Sequence, residues 1–214
     1  MRLLASSRSA GIELEALGQT HKIQETTPDS FKDLDIAIFS AGSENSVKFA
    51  HEAVKRGCVA IDNSSAFRMD PSVPLVVPEI NPQDLDGHQG IVANPNCSTA
   101  QLVIALKPLH DLFKIKRVVV STYQSVSGGG KAPMDELIEQ TKSVLDNKKV
   151  VSKNFTKQIA FNAIPQIDIF SDEGYTKEEL KMTNETKKIL DEKIDLTATC
   201  VRVPVLVSHS ESAN

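Results

Sequence analysis

The stretch DIAIFSAGSENSVKFAHEAVKRGCVAID, Asp35 to Asp62, decides the fold class. Asp35 to Ser40 is a short apolar run that stops at Ala41-Gly42-Ser43, a strand followed by a turn. From Glu44 to Arg56, Val47, Ala50, Ala53 and Val54 fall on one helical stripe, and Gly57 suits the position just past a helix. Cys58 to Asp62 then reads as the next strand. Strand, helix, strand in that order implies a right-handed crossover and a parallel sheet. Leu75-Val76-Val77 and Ile91-Val92-Ala93 look like further short strands.

After the turn Asn94-Pro95-Asn96 the pattern changes. Ser98 to Phe113 is helical, with Leu102, Leu106 and Leu109 at helical spacing and Pro108 expected to kink or end it. Val118 to Gln124 is a strand, and Gly128-Gly129-Gly130 a flexible loop. Pro133 to Leu145 is a helix with Met134, Leu137, Ile138, Thr141 and Leu145 on one face. Asn147 to Gln158 is a polar loop, Thr176 to Leu190 a charged helix, and Thr197 to Val207 β-rich. The βαβ pattern ends near Asn96, so the expected division is 1–95 and 96–214.

Bulk properties narrow the function classes. A chain of 214 residues with 24% charged and 40% hydrophobic residues is long enough to bury a core. The net charge of -4 gives no electrostatic case for nucleic acid or an anionic membrane. The longest apolar run, Leu102 to Leu106, is far too short to span a bilayer, and Met1 to Ala5 runs straight into a polar Ser/Arg cluster rather than a signal peptide. Cys58, Cys97 and Cys200 are odd in number and widely spaced. That argues against a disulfide framework and a zinc site, no metal is expected, and a reducing cytoplasm fits.

Cys97 follows Asn94-Pro95-Asn96 and opens a helix, where free backbone N–H groups and the helix dipole favour a thiolate and can hold an oxyanion. Taken alone, an inert buried cysteine is the commoner reading. Its candidate base is His209, placed after an apolar β-rich run; the other histidines, His21, His51, His88 and His110, show no evident role. Arg202 lies among Cys200, Val201 and Val203. Such an arginine is paired with a carboxylate of the protein or waits for one on a substrate, and the sequence leaves both open. Its odd spacing from His209 puts the two on opposite faces of a straight strand unless the chain bends near Pro204.

Taken together, the motifs Ala5-Ser6-Ser7-Arg8-Ser9-Ala10-Gly11, Phe39-Ser40-Ala41-Gly42-Ser43, Asp62 to Arg68 (DNSSAFR) and Asn94 to Thr99 (NPNCST) carry a resemblance. They continue with Ser121 to Gln124, Ser127 to Gly130, Ala160 to Gln166, Asn184 to Ile189, Cys200 to Pro204 and His209 to Ser212, in order along the whole chain. The chain resembles the aspartate-β-semialdehyde dehydrogenase family.

The resemblance implies an α/β fold: an incomplete Rossmann-like NADP-binding domain, then an α+β catalytic and dimerisation domain. It implies reductive dephosphorylation of L-aspartyl 4-phosphate to L-aspartate 4-semialdehyde, a step in lysine, threonine and methionine biosynthesis. Cys97 would form the thioacyl intermediate, His209 would be the acid/base, and Gln124 would position the reacting group. Arg202 would pair with the substrate carboxylate, Glu185 with its ammonium, and Arg68, Asn96 and Lys188 with phosphate. Glu185 and Lys188, three apart on a helix, share a face; without the resemblance they read as a surface ion pair. Arg8 and Ser9 would meet the NADP 2′-phosphate, and Ser40, Gly42, Ser127 and Gly128 the rest of the cofactor. The implied partners are the small-molecule substrate, phosphate and a second copy of the chain, with no nucleic acid and no membrane.

The family pattern breaks at both ends. No GxGxxG or GxxGxxG occurs, so the first βα unit and its pyrophosphate turn are missing, and the family continues past Asn214. The expectation is an internal portion of a longer enzyme that by itself binds NADPH poorly and turns over little. Two alternatives are N-acetyl-γ-glutamyl-phosphate reductase, whose acetylated substrate offers Glu185 no charge, and a non-catalytic dimerising remnant.

Overall fold

The computed structural model describes all residues, Met1 to Asn214. They form two compact units, Met1–Pro95 and Asn96–Asn214.

In the N-terminal unit, β1 (Leu4–Ala5) pairs in parallel with β4 (Gln24–Glu25), and β2 (Glu13–Ala16) forms a hairpin with β3 (Gln19–Lys22). The hairpin turn, Leu17-Gly18, has positive φ at both positions, which matches the right-handed twist of its strands. The expected crossover follows as β5 (Ile36–Phe39), α1 (Ser43–Val54) and β6 (Val59–Asp62), with β7 (Ile91–Ala93) added in parallel to give the order β5-β6-β7. The buried face of α1 is Ser46, Phe49, Ala50 and Ala53, with Val47 59% exposed, so the stripe is rotated from the one expected. Phe49 explains the rotation: with Phe39 it packs on Phe31, and three rings outweigh one valine. Leu75-Val76-Val77 is not a strand but a single parallel bridge, Leu75 to Ala93. Pro74 and Pro78 bracket it, and proline has no N–H to extend a ladder.

The C-terminal unit is built on a three-stranded sheet. Its elements are α2 (Cys97–Phe113), β8 (Arg117–Gln124), α3 (Lys131–Leu145), α4 (Lys177–Ile189), β9 (Asp195–Arg202) and β10 (His209–Ala213). The strand order is β10-β8-β9, with β9 parallel and β10 antiparallel to β8. Val118 and Val120 of β8 and Leu196, Ala198 and Cys200 of β9 alternate inward onto Leu102 and Leu106 of α2 and Met182 of α4. Pro108 does not end α2, which runs through it to Phe113. Of the stripe expected on α3, Leu137 is buried and Met134 packs beside it, whereas Ile138 and Leu145 are exposed and Glu136 and Gln140 complete the buried face.

No helix of the chain is long and apolar enough to cross a membrane.

Candidate active site

The register of the second sheet assembles the site. His209 opens β10 opposite Gln124, and Gln124, ending β8, stands opposite Arg202 at the end of β9. His209, Gln124 and Arg202 therefore form one row across three strands, and neighbours in a row share a face. The expected bend is real: β9 stops at Arg202, Pro204 lies in the connection, and Ser208 takes φ +83 before His209 begins a strand on the far side of β8. Arg202 is fixed by paired backbone hydrogen bonds with Ile164, and its Nη1 donates to Ser125 O at 2.5 Å. No carboxylate of the chain lies within ion-pair distance of it. The open question about Arg202 thus closes on the side of a guanidinium without a protein counterion.

Helix α2 carries Cys97 to this row. Asn96 caps the helix, its Oδ1 accepting from Ser98 N (2.9 Å) and Thr99 N (3.3 Å). Gln124 Nε2 donates to Ser98 Oγ, tying β8 to the residue beside Cys97. Cys97 is exposed, whereas Cys58 and Cys200 are buried. Contrary to the helix-dipole expectation, the Cys97 thiol is held above its ordinary pKa. Desolvation is the largest cause and the charge of Glu178 the next, and together they outweigh the N–H groups of Ser98 and Cys97. At rest Cys97 is a thiol.

Glu178, which sequence reasoning passed over, is the carboxylate of the site. Its Oε1 accepts from Asn96 Nδ2 (3.0 Å) and Gln124 Nε2 (3.2 Å), and its charge acts on Cys97, Arg202 and His209. One turn on, Lys181 lies 3.2 Å from both Glu178 and Asp168. This corrects the expectation for Glu185, which lies two turns further along α4, is 1% exposed, and spends Oε2 on Asn96 N–H at 2.6 Å. The physical reason is direction. Helix α4 runs back along β9, so its first turn, not its last, meets the end of β9. Glu179 marks the same juxtaposition, accepting Cys200 N at 3.0 Å while its other oxygen closes the Thr176 capping box. Lys188 lies one turn beyond Glu185, in the last turn of α4. The signal was legible: Glu178–Lys181 repeats the Glu185–Lys188 spacing exactly one heptad earlier.

His209 is held below the ordinary imidazole pKa, first by desolvation and also by Arg202, against the opposing pull of the Ser208 backbone and Glu178. Gly128 is small for a reason: a Cβ there would stand 3.3 Å from Arg202 Nη1 and 3.5 Å from His209 Nε2. Ser127 reaches Ser125 Oγ at 2.9 Å.

Two register positions behind the row, and on the same face, Glu211 stands opposite Thr122 and Thr122 opposite Cys200. Burial pushes the Glu211 carboxyl up to about 7, a hydrogen bond from Gln101 offsetting part of the effect, and its Oε1 has no partner. A carboxyl whose folded pKa exceeds the unfolded value holds its proton longer in the native state. It therefore costs stability as pH rises from its ordinary range through about 7. Glu211 is only half-buried, so the expected slope is about 1–2 kcal/mol after solvent screening. Urea unfolding of the chain and of Glu211→Gln at about pH 5 and about pH 8 checks this. The gap between the two proteins widens at the higher pH if Glu211 titrates as described, and stays constant if it does not.

In the N-terminal unit, Arg8 is exposed in the turn after β1, with Ser9 N bonded to Ser6 O. Ser40 and Gly42 lie between β5 and α1, where Gly42 has φ +88 and open space beside it. A helix N-terminus without a side-chain cap, at the carboxyl edge of a parallel sheet, fits a nucleotide. Arg68 is 7% exposed, donating Nε to Asn94 O and Nη2 to Asn63 O at 2.8 Å each. It is a buried strut of this unit.

Two family models match the chain: the semialdehyde dehydrogenase NAD binding domain over residues 1–88 and the semialdehyde dehydrogenase dimerisation domain over residues 106–214. The aspartate-semialdehyde dehydrogenase of Bacillus subtilis (strain 168) is 51% identical over 222 residues, a match covering 99% of this chain and 64% of that protein. That of Vibrio mimicus is 48% identical, covering 99% of this chain and 68% of the relative. Among solved structures, aspartate semialdehyde dehydrogenase II from Vibrio cholerae superposes with TM-score 0.94 at 49% identity, covering 99% of this chain and 64% of that one. The enzyme from Candida albicans, solved with NADP, gives TM-score 0.75 at 27% identity, covering 100% and 63%. The chain thus spans 64% of the length of relatives such as the Bacillus protein.

Proposed function

Because the chain belongs to the aspartate-semialdehyde dehydrogenase family, we propose that it carries the acyl-transfer centre for reductive dephosphorylation of L-aspartyl 4-phosphate to L-aspartate 4-semialdehyde. The observation that carries this reading is the row His209–Gln124–Arg202 with Glu178 facing it. A zwitterionic substrate needs a fixed cation for its carboxylate and a fixed carboxylate for its ammonium. Arg202, which has no protein counterion, serves the first and Glu178 the second. Cys97 then attacks the acyl phosphate carbon, and the N–H groups at the α2 N-terminus hold the developing oxyanion. Gln124 orients the reacting carbonyl, His209 supplies the acid/base group, and Asn96 and Lys181 meet the phosphate.

The cofactor of this reading is NADP, whose reduced form, NADPH, would supply the hydride. Ser40 and Gly42 in the N-terminal unit and Ser127 and Gly128 in the C-terminal unit would approach it. Arg8 and Ser9 would meet the 2′-phosphate that distinguishes NADP from NAD. The reading also includes a homodimer formed through the C-terminal unit and work in the cytoplasm, in lysine, threonine and methionine biosynthesis.

Competition between acyl phosphates tests the assignment. The chain is offered L-aspartyl 4-phosphate and N-acetyl-γ-glutamyl phosphate at equal concentration, and phosphate release is followed for each. An acetylated amine gives Glu178 no charge, so aspartyl transfer is expected to win by about 10²-fold. Equal rates, or preference for the acetylated compound, would sink the assignment.

A further inference from the structure

Nδ1 of His209 meets Ser125 twice, at the backbone N–H (3.0 Å) and at the hydroxyl (3.2 Å). A backbone N–H can only donate, so the atom it meets must present a lone pair. A neutral imidazole has one lone pair and one N–H, which leaves the proton on Nε2, the nitrogen beside Gly128. Ser125 is fully buried, and its carbonyl accepts from Arg202 Nη1. One residue thus grips both ends of the row.

We propose that Ser125 is the positioning residue that fixes His209 as the Nε2–H tautomer, so that the resting imidazole meets the substrate as a hydrogen-bond donor. This rests on the acyl-transfer reading above. Every facing group enters its titration: burial and the Arg202 guanidinium disfavour the imidazolium, while Glu178 and the Ser208 backbone favour it, and the balance leaves the ring neutral near neutral pH. Acylation proceeds through the Cys97 thiolate, its proton passing to the leaving phosphate. A C–S bond forms, the acyl C–O bond to phosphate breaks, and the thiol proton leaves on inorganic phosphate. Nothing is oxidised or reduced in this half of the reaction.

Two-bond proton–nitrogen NMR of the chain, labelled with nitrogen-15 histidine, reads the tautomer. His209 is one of five histidines and is assigned by its loss in His209→Asn. The expected spectrum at about pH 8 shows Nε2 protonated and Nδ1 bare. A protonated Nδ1 would overturn the proposal. Ser125→Ala keeps the N–H and is expected to keep the tautomer. Ser125→Pro removes the N–H at a backbone angle proline accepts, φ -65, and is expected to release the tautomer and raise the titration midpoint. An unchanged tautomer in the proline variant would also overturn it. Should that variant not fold, the unsubstituted spectrum decides alone. Failed acylation in a chain showing the Nε2–H ring would count against the acyl-transfer reading and leave the tautomer standing.

Discussion

Glu178→Gln is expected to slow aspartyl transfer to Cys97 by about 10²- to 10³-fold, the cost of leaving the substrate ammonium without its carboxylate in a half-buried site. Two effects of this change oppose each other. Removing the Glu178 charge also lowers the Cys97 pKa, which makes the sulfur a better nucleophile. That charge is second to desolvation in setting the thiol, so the gain is smaller than the loss of recognition. The opposition supplies an internal control. Iodoacetamide carries no ammonium, so Glu178→Gln is expected to alkylate faster at Cys97 while it acylates more slowly. Glu185→Gln is expected to change neither rate by more than about tenfold and to lower stability by about 1 kcal/mol, because an amide oxygen still accepts Asn96 N–H but without the carboxylate's charge. Stopped-flow phosphate release and thiol labelling on the three proteins check this. A larger loss in Glu185→Gln than in Glu178→Gln would restore the original assignment of the ammonium site.

The second large effect concerns folding. Glu136 of α3 is 5% exposed and its carboxylate accepts four hydrogen bonds: Lys153 N (2.9 Å), Asn154 N (2.7 Å), Asn154 Nδ2 (2.6 Å) and Gln140 Nε2 (2.8 Å). Gln140 in turn accepts Ile159 N at 2.9 Å. This network fastens the irregular 150s segment, which has no ladder of its own, over Val126, Leu137 and Ile164. Glu136→Ala removes the acceptor of four donors, the buried Gln140 amide among them, and is expected to cost about 2–4 kcal/mol, a large part of a typical domain's stability. Urea unfolding of both proteins measures it. A loss below about 1 kcal/mol would mean that the segment is held by its apolar contacts alone.

These two sites mark where the sequence was and was not legible. Elements with apolar periodicity could be read: the β5-α1-β6 crossover, α2 and β8. The resemblance also named Gln124, Arg202 and His209, which the sheet register brings into one row. Faces that bury polar groups could not be read. The buried side of α3 sets Glu136 and Gln140 beside Leu137, whereas Ile138 and Leu145 of the expected stripe point at solvent. Glu178 was lost for a related reason. Two Glu–Lys pairs repeat along α4, and only the direction of the helix against β9 tells which end reaches Arg202. The depressed thiol pKa expected at a helix start failed because a local dipole was weighed without the desolvation, and after it the Glu178 carboxylate, that tertiary structure imposes. The row His209–Gln124–Arg202 depends on a return of the chain across β8, which spacing along one strand cannot show.

The central claim is that these residues form an acyl-transfer centre on Cys97, and its first half needs no nicotinamide. The direct measurement is therefore the intact and peptide mass of the chain after exposure to L-aspartyl 4-phosphate generated in place, with Cys97→Ala beside it. The expected result is one aspartyl group per chain, on Cys97 as a thioester that hydroxylamine removes, with equimolar phosphate released and nothing on Cys97→Ala. An unmodified Cys97, or an adduct that persists in Cys97→Ala, would contradict the account.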